Sequence, residues 1–581
     1  MVFRRSRLAR SRIVFLQNDR RSSDKTNTFK QQLSEHENEV QCFSSSNDCV
    51  DFLLGQKEPI LLVLNETQGE QLAPIIQTCD QIHRIYVLST HRPHWIEQYG
   101  FQQADHFDSL ELIIASIKHD LKVASDDQLN IAVISRSEMG SNTRKDPSFV
   151  YHQLLKEILL KKSNVDPEEI AKQQMVQYFR KIYRGQPTQI QIIDEFDQEF
   201  FPELAFYWYS RDCFLYETLN RALFTPEPTV LYKLRYFIRH LHAQILEKSQ
   251  EQPQISAEKS VYRGQGMKKL AFDTIKNGIG GLLSFNNFLS TTTSRSVAEQ
   301  FMENRAFSED EVCVLLQMNL DPTNRTYPFA KLGQLGYFGD AEKEILFSMG
   351  TVFRIMEVSP LPASKWLIKL TLCNDNDQNL EKYTDKVRQR IKGAHPLISF
   401  VKLMDEIGQY NMIEPFDDVF AEDEHVINNP LLSATLQHAI GSAYLSTGDR
   451  VRALAHLKNA LESYLNFLPE NHQSLSPTYN NIGSVYYAMH RYQEAIENHQ
   501  LALDCQLNCN DPDLDSVAAY SLNLSAVHQT LGKYQEALKH LERVVQVQKQ
   551  HLKEDDPALA DTYMAQAKIY HKIKDNKNAG Y

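Results

Sequence analysis

Short apolar runs alternate with amphipathic stretches along the first part of the chain. Residues 13–16, 60–64 and 85–88 have the length and composition of buried strands, and residues 110–121 have a helical pattern. This alternation predicts a small open α/β sheet over residues 1–125. No glycine-rich turn follows the first strand, so we expect a binding or scaffolding domain rather than a dinucleotide-binding one.

Between residues 170 and 375 a helical pattern comes first and strand patterns follow. Apolar side chains spaced by three and four predict an amphipathic helix, and they are Leu231, Leu234, Ile238, Leu241 and Ile245. Strand patterns cover residues 261–263, 312–318, 344–347, 352–356 and 366–370. Helices followed by strands indicate an α+β domain over 170–375. We interpret residues 126–169 as a linker and a helix, and residues 376–394 as a linker.

The last third of the chain contains an internal repeat. Small residues recur every 42 positions in two columns, and these are Gly441, Gly483, Ser525 and Ala567, and Ala453, Ala495, Ala537 and Ala579. Constant spacing of small residues indicates stacked helical hairpins, in which a small residue lies at each helix crossing. We predict an all-α solenoid over residues 395–581, with about four repeats, of which the first is degenerate and the last incomplete.

Two motifs connect this repeat to a known family. They are Arg491-Tyr492-Gln493-Glu494-Ala495 and Lys533-Tyr534-Gln535-Glu536-Ala537. Both resemble tetratricopeptide repeats of the kind found in kinesin light chains. The resemblance implies that this region recognises a peptide or protein partner.

Charge and cysteine spacing exclude several classes of partner. The formal net charge is −12, which argues against a nucleic-acid ligand. No run reaches the roughly 18 apolar residues that span a bilayer, so we expect no membrane partner. The eight cysteines include no Cys-x-x-Cys pair, so we expect no metal site and reduced thiols in a cytoplasmic protein.

Three short motifs fall in order within residues 170–375. They are Tyr262-Arg263-Gly264, Phe288-Leu289-Ser290-Thr291-Thr292 and Glu342-Lys343-Glu344. Each has an ordinary structural explanation, as an ion pair, a loop or helix cap, and a solvated strand face. In this order they resemble the Arg-Ser-Glu signature of the arginine-specific, toxin-like mono-ADP-ribosyltransferases. The resemblance implies a helical subdomain beside a split β-sheet cleft, with NAD consumed as a substrate and no metal.

The resemblance assigns a role to each residue. Glu344 stabilises the oxocarbenium-like ribose that forms when nicotinamide leaves, and Ser290 orients Glu344. Arg263 binds NAD through charge-assisted hydrogen bonds. Gly264 lets the nicotinamide amide reach the backbone. The NAD-binding set implied by the resemblance is Tyr262, Arg263, Gly264, Ser290, Thr291 and Glu344.

A second set of residues is implied for the arginine acceptor. A guanidinium has a pKa above about 12, so it must lose a proton before it can attack, and we assign that task to Glu342. Strand alternation predicts that Glu342 and Glu344 share one face. Tyr337 or Phe338 resembles the aromatic residue that lies against the acceptor guanidinium. The alternative for these two rings is that they anchor the loop.

Together the two resemblances imply an NAD(P)+–protein-arginine ADP-ribosyltransferase whose repeats recognise a protein partner. Two alternatives remain open. Hydrolysis of NAD by water would use the same residues. A catalytically inert scaffold would use only the repeats and the N-terminal domain, and the complete set Arg263, Ser290, Glu342 and Glu344 argues against it.

Overall fold

A computed structural model divides the 581-residue chain into two compact units, residues 1–161 with 167–385 and residues 162–166 with 386–581. The structure describes residues 12–16, 29, 33, 40–56, 60–79, 81–91, 93–99, 101, 104–114, 116–117, 131–135, 147–161, 166–184, 186–211, 213–224, 227–251, 260–303, 311–320, 327–337, 344–373, 378–393, 395–409, 412–470, 472–509, 512–551 and 556–578.

The first unit begins with a five-stranded parallel sheet of order β2-β1-β3-β4-β5. Its interior strands are almost wholly apolar because helical segments cover both faces. This is the small open α/β sheet that the sequence predicts. Its elements are β1 (Arg12–Leu16), β2 (Val40–Phe43), α1 (Ser46–Gly55), β3 (Ile60–Asn65), α2 (Glu66–Ile76), β4 (Ile82–Leu88), α3 (His94–Gln98) and β5 (Ala104–Phe107).

A helical layer follows in the same unit. The five apolar residues predicted to form one helix face are all fully buried on the longest of these helices. Aromatic side chains fill much of the space between the helices, including Phe179, Phe196 and Phe214. The helices are α4 (Pro147–Leu160), α5 (Glu168–Ile182), α6 (Pro187–Glu199), α7 (Ala205–Ser210), α8 (Phe214–Phe224) and α9 (Pro228–Glu251).

A nine-stranded sheet completes the first unit, in the order β11-β12-β9-β7-β10-β14-β13-β8-β6. One face of this sheet is packed with apolar side chains into a continuous core. Its elements are β6 (Ile131–Ile134), β7 (Ser260–Lys268), α10 (Lys269–Asn277), β8 (Leu282–Phe285), β9 (Leu289–Thr292), α11 (Arg295–Glu303), β10 (Glu311–Asn319), β11 (Phe329–Lys331), β12 (Glu344–Phe347), β13 (Thr351–Leu361) and β14 (Lys365–Leu372).

The nine-stranded sheet is almost divided at one position. β7 pairs along its whole length with β10, but the structure joins β7 to β9 by one residue pair, Tyr262 with Thr292. Three strands, β11, β12 and β9, therefore lie on one side of this opening and six lie on the other. Arg263 and Ser290 lie on the two strands that border it.

Two segments interpreted from the sequence as connections contain regular elements. β6 lies within residues 126–169 and pairs antiparallel with β8, because its four-residue apolar run is buried on the sheet. Residues 376–394 contain helix α12 (Gln378–Ile391). The boundary expected at residue 170 is therefore too late for the nine-stranded sheet, and the second linker is largely a helix.

The second unit consists of helical hairpins. Gly408, Gly448 and Gly532 adopt positive φ angles of 71°, 84° and 70° at the ends of helices or in the turns between them, a conformation that glycine adopts without steric cost. The helices are α13 (Pro396–Ile407), α14 (Pro415–Glu422), α15 (Glu424–Ile427), α16 (Pro430–Thr447), α17 (Arg450–Phe467), α18 (Leu475–Ala488), α19 (Tyr492–Leu507), α20 (Leu514–Thr530), α21 (Tyr534–His551) and α22 (Pro557–Asn578).

In the first three repeats the small residues lie at the helix crossings, as the repeat predicts. A Cβ atom at Gly441 would lie 2.8 Å from Leu457 Cγ, and one at Gly483 would lie 2.9 Å from the His499 ring. Ala453, Ala495 and Ala537 are fully buried. Ala567 is exposed on α22, a helix that continues through the position where the earlier repeats turn, and Ala579 lies outside the described residues.

Candidate functional site

Arg263 and Ser290 meet across the opening in the sheet. Arg263 is only 6% exposed on β7, and its Nη1 donates to the Ser290 carbonyl oxygen on β9 at 2.9 Å. Its Nε donates to Gln265 Oε1, also at 2.9 Å. The plane of the guanidinium is thereby fixed at the edge of the opening. A guanidinium fixed in this way is suited to recognising phosphate or carboxamide oxygens.

Glu344 lies one strand further from β7. It is the first residue of β12 and pairs directly with Thr292, which in turn pairs with Tyr262. Ser290 is two residues before Thr292, so the side chains of Ser290 and Glu344 project from the same face of their strands. Both are partly exposed. The structure therefore brings Arg263, Ser290 and Glu344 to adjacent strands at one opening.

Gly264 serves a packing role that the sequence did not predict. A Cβ atom there would lie 2.0 Å from the carbonyl oxygen of Ala298 and 2.9 Å from Met302 Cγ, both on α11. Helix α11 thus lies directly on β7 at this position, and a glycine is required for the close approach. Tyr262 packs on the same side, against the apolar cluster that includes Ala298 and Met302.

The Thr291 hydroxyl also makes a structural contact. Its Oγ1 donates to the Ile345 carbonyl oxygen at 2.9 Å, and the residue is only 4% exposed. The hydroxyl therefore ties β9 to β12, on the sheet face opposite to Ser290. The predicted contact of Thr291 with NAD stays a prediction.

Tyr209 belongs to the site and was missed by sequence reasoning. It lies on α7, and its ring centroid is 5.9 Å from that of Phe288. Burial raises the pKa of Tyr209 well above its ordinary value; Tyr216 and the Glu344 carboxylate raise it further, whereas Asn220 and Arg263 lower it. The phenol therefore lies within electrostatic range of both predicted catalytic charges.

Tyr337, which precedes the paired glutamates in the sequence, contacts helix α7. The Tyr337 N–H donates to Ser210 Oγ at 2.7 Å, and the Tyr337 ring centroid lies 5.2 Å from that of Tyr207. Tyr337 is therefore anchored on the helical layer, as in the structural alternative given above. Glu342 and Phe338 lie outside the described residues, so their predicted roles stay predictions.

A cavity of about 140 Å³ lies elsewhere in the first unit. Its wall includes residues at the carboxyl ends of β4 and β5, such as Ser89 and Asp108, and residues of α6 and α8, such as Gln189 and Glu217. Arg263, Ser290 and Glu344 do not line it.

The described residues contain neither a metal-binding cluster nor a membrane-spanning helix. No group of three or more His, Cys, Asp or Glu side chains among them could hold a metal ion. Within the same part of the chain, no helix is long and apolar enough to cross a membrane.

The chain shares partial similarity with several solved structures. BtubC from P. vanneervenii is 18% identical over 32% of this chain and 74% of its own, with a TM-score of 0.28. ADP-ribosyltransferase Vis in complex with agmatine is 19% identical over 37% of this chain and 90% of its own (TM-score 0.24). ADP-ribosyltransferase HopU1 of Pseudomonas syringae pv. Tomato DC3000 is 16% identical over 38% of this chain and 97% of its own, with a TM-score of 0.23. No curated protein matches the chain.

The C-terminal repeat is identified by a family model. Residues 432–508 and 515–579 match the tetratricopeptide repeat model, over the hairpins whose crossings carry the small residues described above. The chain therefore carries tetratricopeptide repeats in its second unit.

Proposed function

We propose that the first unit transfers ADP-ribose from NAD to an arginine guanidinium of a protein. The observation that carries the proposal is the opening between β7 and β9. There the Arg263 guanidinium contacts Ser290, and Glu344 stands on the next strand. This geometry supports the prediction that the Arg, Ser and Glu of the three motifs belong to one site.

Arg263 and Ser290 form the NAD-binding edge in this proposal. Gln265 and the Ser290 carbonyl fix the guanidinium, so it meets an NAD oxygen with little loss of side-chain entropy. Tyr209 lies beside Phe288 and is fully buried there. Its contribution is to exclude water and to hold the edge of the site rigid.

Glu344 acts on the developing positive charge. When the bond between the ribose anomeric carbon and nicotinamide breaks, the electron pair leaves with nicotinamide and the sugar acquires oxocarbenium character. A carboxylate held at the start of a strand stabilises that charge without having to reorganise. Ser290, on the same face, orients the carboxylate or the ribose hydroxyl that it binds.

The acceptor step requires one more group. A guanidinium nitrogen attacks the anomeric carbon, a new carbon–nitrogen bond forms, and the guanidinium gives up one proton. We assign that proton to the Glu342 carboxylate, on the sequence spacing of Glu342 and Glu344. The tetratricopeptide repeats would hold the protein that carries the arginine, and a cytoplasmic location stays a prediction.

The proposal is tested by measuring nicotinamide release and ADP-ribose transfer by the full chain, with labelled NAD and agmatine as a soluble guanidine acceptor. Glu344→Gln removes the charge that stabilises the cationic sugar, so both rates should fall by about 100-fold or more. Glu311→Gln is the matched control, because Glu311 is also a partly exposed first residue of a strand in the same sheet. Equal rates in the wild type and Glu344→Gln would overturn the assignment.

A further inference from the structure

The cavity beside β5 has the dimensions of a small-ligand site. Its volume is about 140 Å³, and a cavity of about 150 Å³ holds a ligand of about six non-hydrogen atoms, the size of benzene. One wall is the edge strand β5 with the residues that follow it, including Asp108 and Ser116. The other wall is the start of α6 and of α8, including Thr188 and Glu217. Ligand sites are often found where two layers of structure meet in this way.

Charged side chains of both signs line the cavity. Arg84 lies on β4, Asp108 follows β5, and Glu217 lies in the first turn of α8. A guanidinium binds a carboxylate through two parallel hydrogen bonds, whereas carboxylates accept from an ammonium group. The cavity therefore offers partners to both ends of a zwitterion. A ligand with a single charge would lie close to at least one side chain of like charge, which weakens binding.

Neutral groups in the wall add hydrogen-bond partners. Thr90, Ser116 and Thr188 contribute hydroxyl groups that both donate and accept. The Ser89 hydroxyl donates to Glu66 Oε2 at 2.7 Å, so its oxygen is left as an acceptor. Together with the carboxylates, these oxygens supply acceptors for the three N–H donors of an ammonium group.

The most buried part of the wall is apolar. Cys213 and Phe214 are 5% and 1% exposed, and the Phe214 ring centroid lies 6.3 Å from that of Tyr183, which also lines the cavity. Such a surface accommodates a short hydrocarbon group but gives no partner to a further charge. With the small volume, this limits the ligand to one that carries a short apolar side chain.

We propose that this cavity binds a small free α-amino acid of the size of alanine. Arg84 binds the carboxylate, and the methyl group lies toward Phe214. Asp108 and Glu217 bind the ammonium group. No residue of the opening between β7 and β9 takes part, so the inference does not depend on the proposed transferase function. It adds a regulatory ligand to the first unit.

Helix α8 connects the cavity with the opening in the nine-stranded sheet. Asn220 is one turn beyond Glu217, and its carbonyl oxygen accepts from Asn287 Nδ2 at 3.3 Å. Asn287 is 5% exposed and lies three residues before Ser290 on β9. An amino acid bound to Glu217 stabilises α8 and, through Asn287, the start of β9. Hydrogen exchange should therefore slow at both places when the ligand binds.

The proposal is tested by equilibrium dialysis of the full chain against isotope-labelled L-alanine. A Kd on the order of 1 mM is expected for so small a ligand. Propionate and ethylamine are the competitors, because each keeps one charge of alanine and lacks the other. Both should compete at least about tenfold more weakly than unlabelled alanine. No binding of alanine at about 20 mM would refute the proposal, and so would propionate or ethylamine competing as well as alanine.

Two single variants test which side chain binds which end of the ligand. Arg84→Gln should bring alanine and ethylamine closer in affinity, and Glu217→Gln should bring alanine and propionate closer. Arg184→Gln and Glu227→Gln are the matched controls, because neither residue lines the cavity, and both should keep the wild-type Kd. Wild-type affinities in Arg84→Gln and Glu217→Gln would overturn the assignment. The competition on the wild type needs no substitution, so it decides the question even where a variant fails to fold.

Hydrogen exchange with and without alanine locates the ligand. Residues 214–224 and 286–292 should exchange at least about threefold more slowly with alanine present, and the helices of the second unit should be unchanged. Protection that leaves out residues 214–224 would overturn the site, and protection that leaves out 286–292 would refute the connection to the opening. A wild-type chain that binds alanine but does not consume NAD would support this site and refute the proposed function.

Discussion

Replacing Gly264 by alanine separates two roles for this glycine. A Cβ atom at Gly264 would lie 2.0 Å from the Ala298 carbonyl oxygen, which belongs to the backbone of α11 and cannot rotate away. Helix α11 must therefore shift from β7. Overpacking of this kind costs about 1–3 kcal/mol, and we expect the upper part of that range because the atom in the way is backbone.

The shift should be visible in thermal unfolding of the full chain. For a domain of about 150–250 residues, a loss of about 3 kcal/mol corresponds to a fall in Tm of about 6–12 °C. Gly55→Ala is the control, because nothing lies within 4 Å of its Cβ position and the residue needs no positive φ. If Gly264→Ala keeps the wild-type Tm and only raises the KM for NAD, the packing role is wrong and the glycine serves the nicotinamide.

Three further predictions concern individual side chains. Burial lowers the pKa of His499 to about 4 from 6.5, so as pH falls below 6.5 the unfolded chain binds a proton that the folded chain does not. Lowering the pH from 7 to 5 should cost about 2 kcal/mol of local stability, seen as faster hydrogen exchange in α18 and α19, and His499→Asn should lose that part of the pH dependence. Tyr209→Phe removes a fully buried hydroxyl and keeps the ring beside Phe288, so we expect a loss of at most about 1 kcal/mol by denaturant titration and a less than tenfold fall in NAD cleavage. Ser290→Ala keeps the backbone carbonyl that binds Arg263, so steady-state kinetics should show a fall in kcat of about tenfold or more with little change in stability.

Local sequence patterns were sufficient to predict part of the fold. The 42-residue spacing of Gly441 and Gly483 reports a helix crossing within each repeat, and both partners of that crossing are close in sequence. The apolar face of α9 and the longer strands β7, β10, β13 and β14 also follow from their own periodicity. In each case the information lies within a window of one or two elements.

Non-local contacts account for what the sequence did not reveal. β6 is a four-residue apolar run whose identity as a strand depends on β8, more than 140 residues later in the chain. The sequence motif alone suggested that Gly264 leaves space for nicotinamide, because the packing of α11 against this glycine is visible only in the structure. Tyr209 belongs to an aromatic helical segment whose pattern is typical of a core, and its contact with Phe288 exists only in three dimensions.

Transfer to a guanidine is the central claim, and the identity of the product tests it most directly. Mass spectrometry of agmatine incubated with the full chain and NAD reports whether one ADP-ribose has been added to it. The account predicts ADP-ribosylated agmatine with an equal amount of free nicotinamide beyond that from hydrolysis, and no such product with Glu344→Gln. Nicotinamide with only free ADP-ribose would show that water is the acceptor, and the absence of both products would contradict an enzymatic role for the first unit.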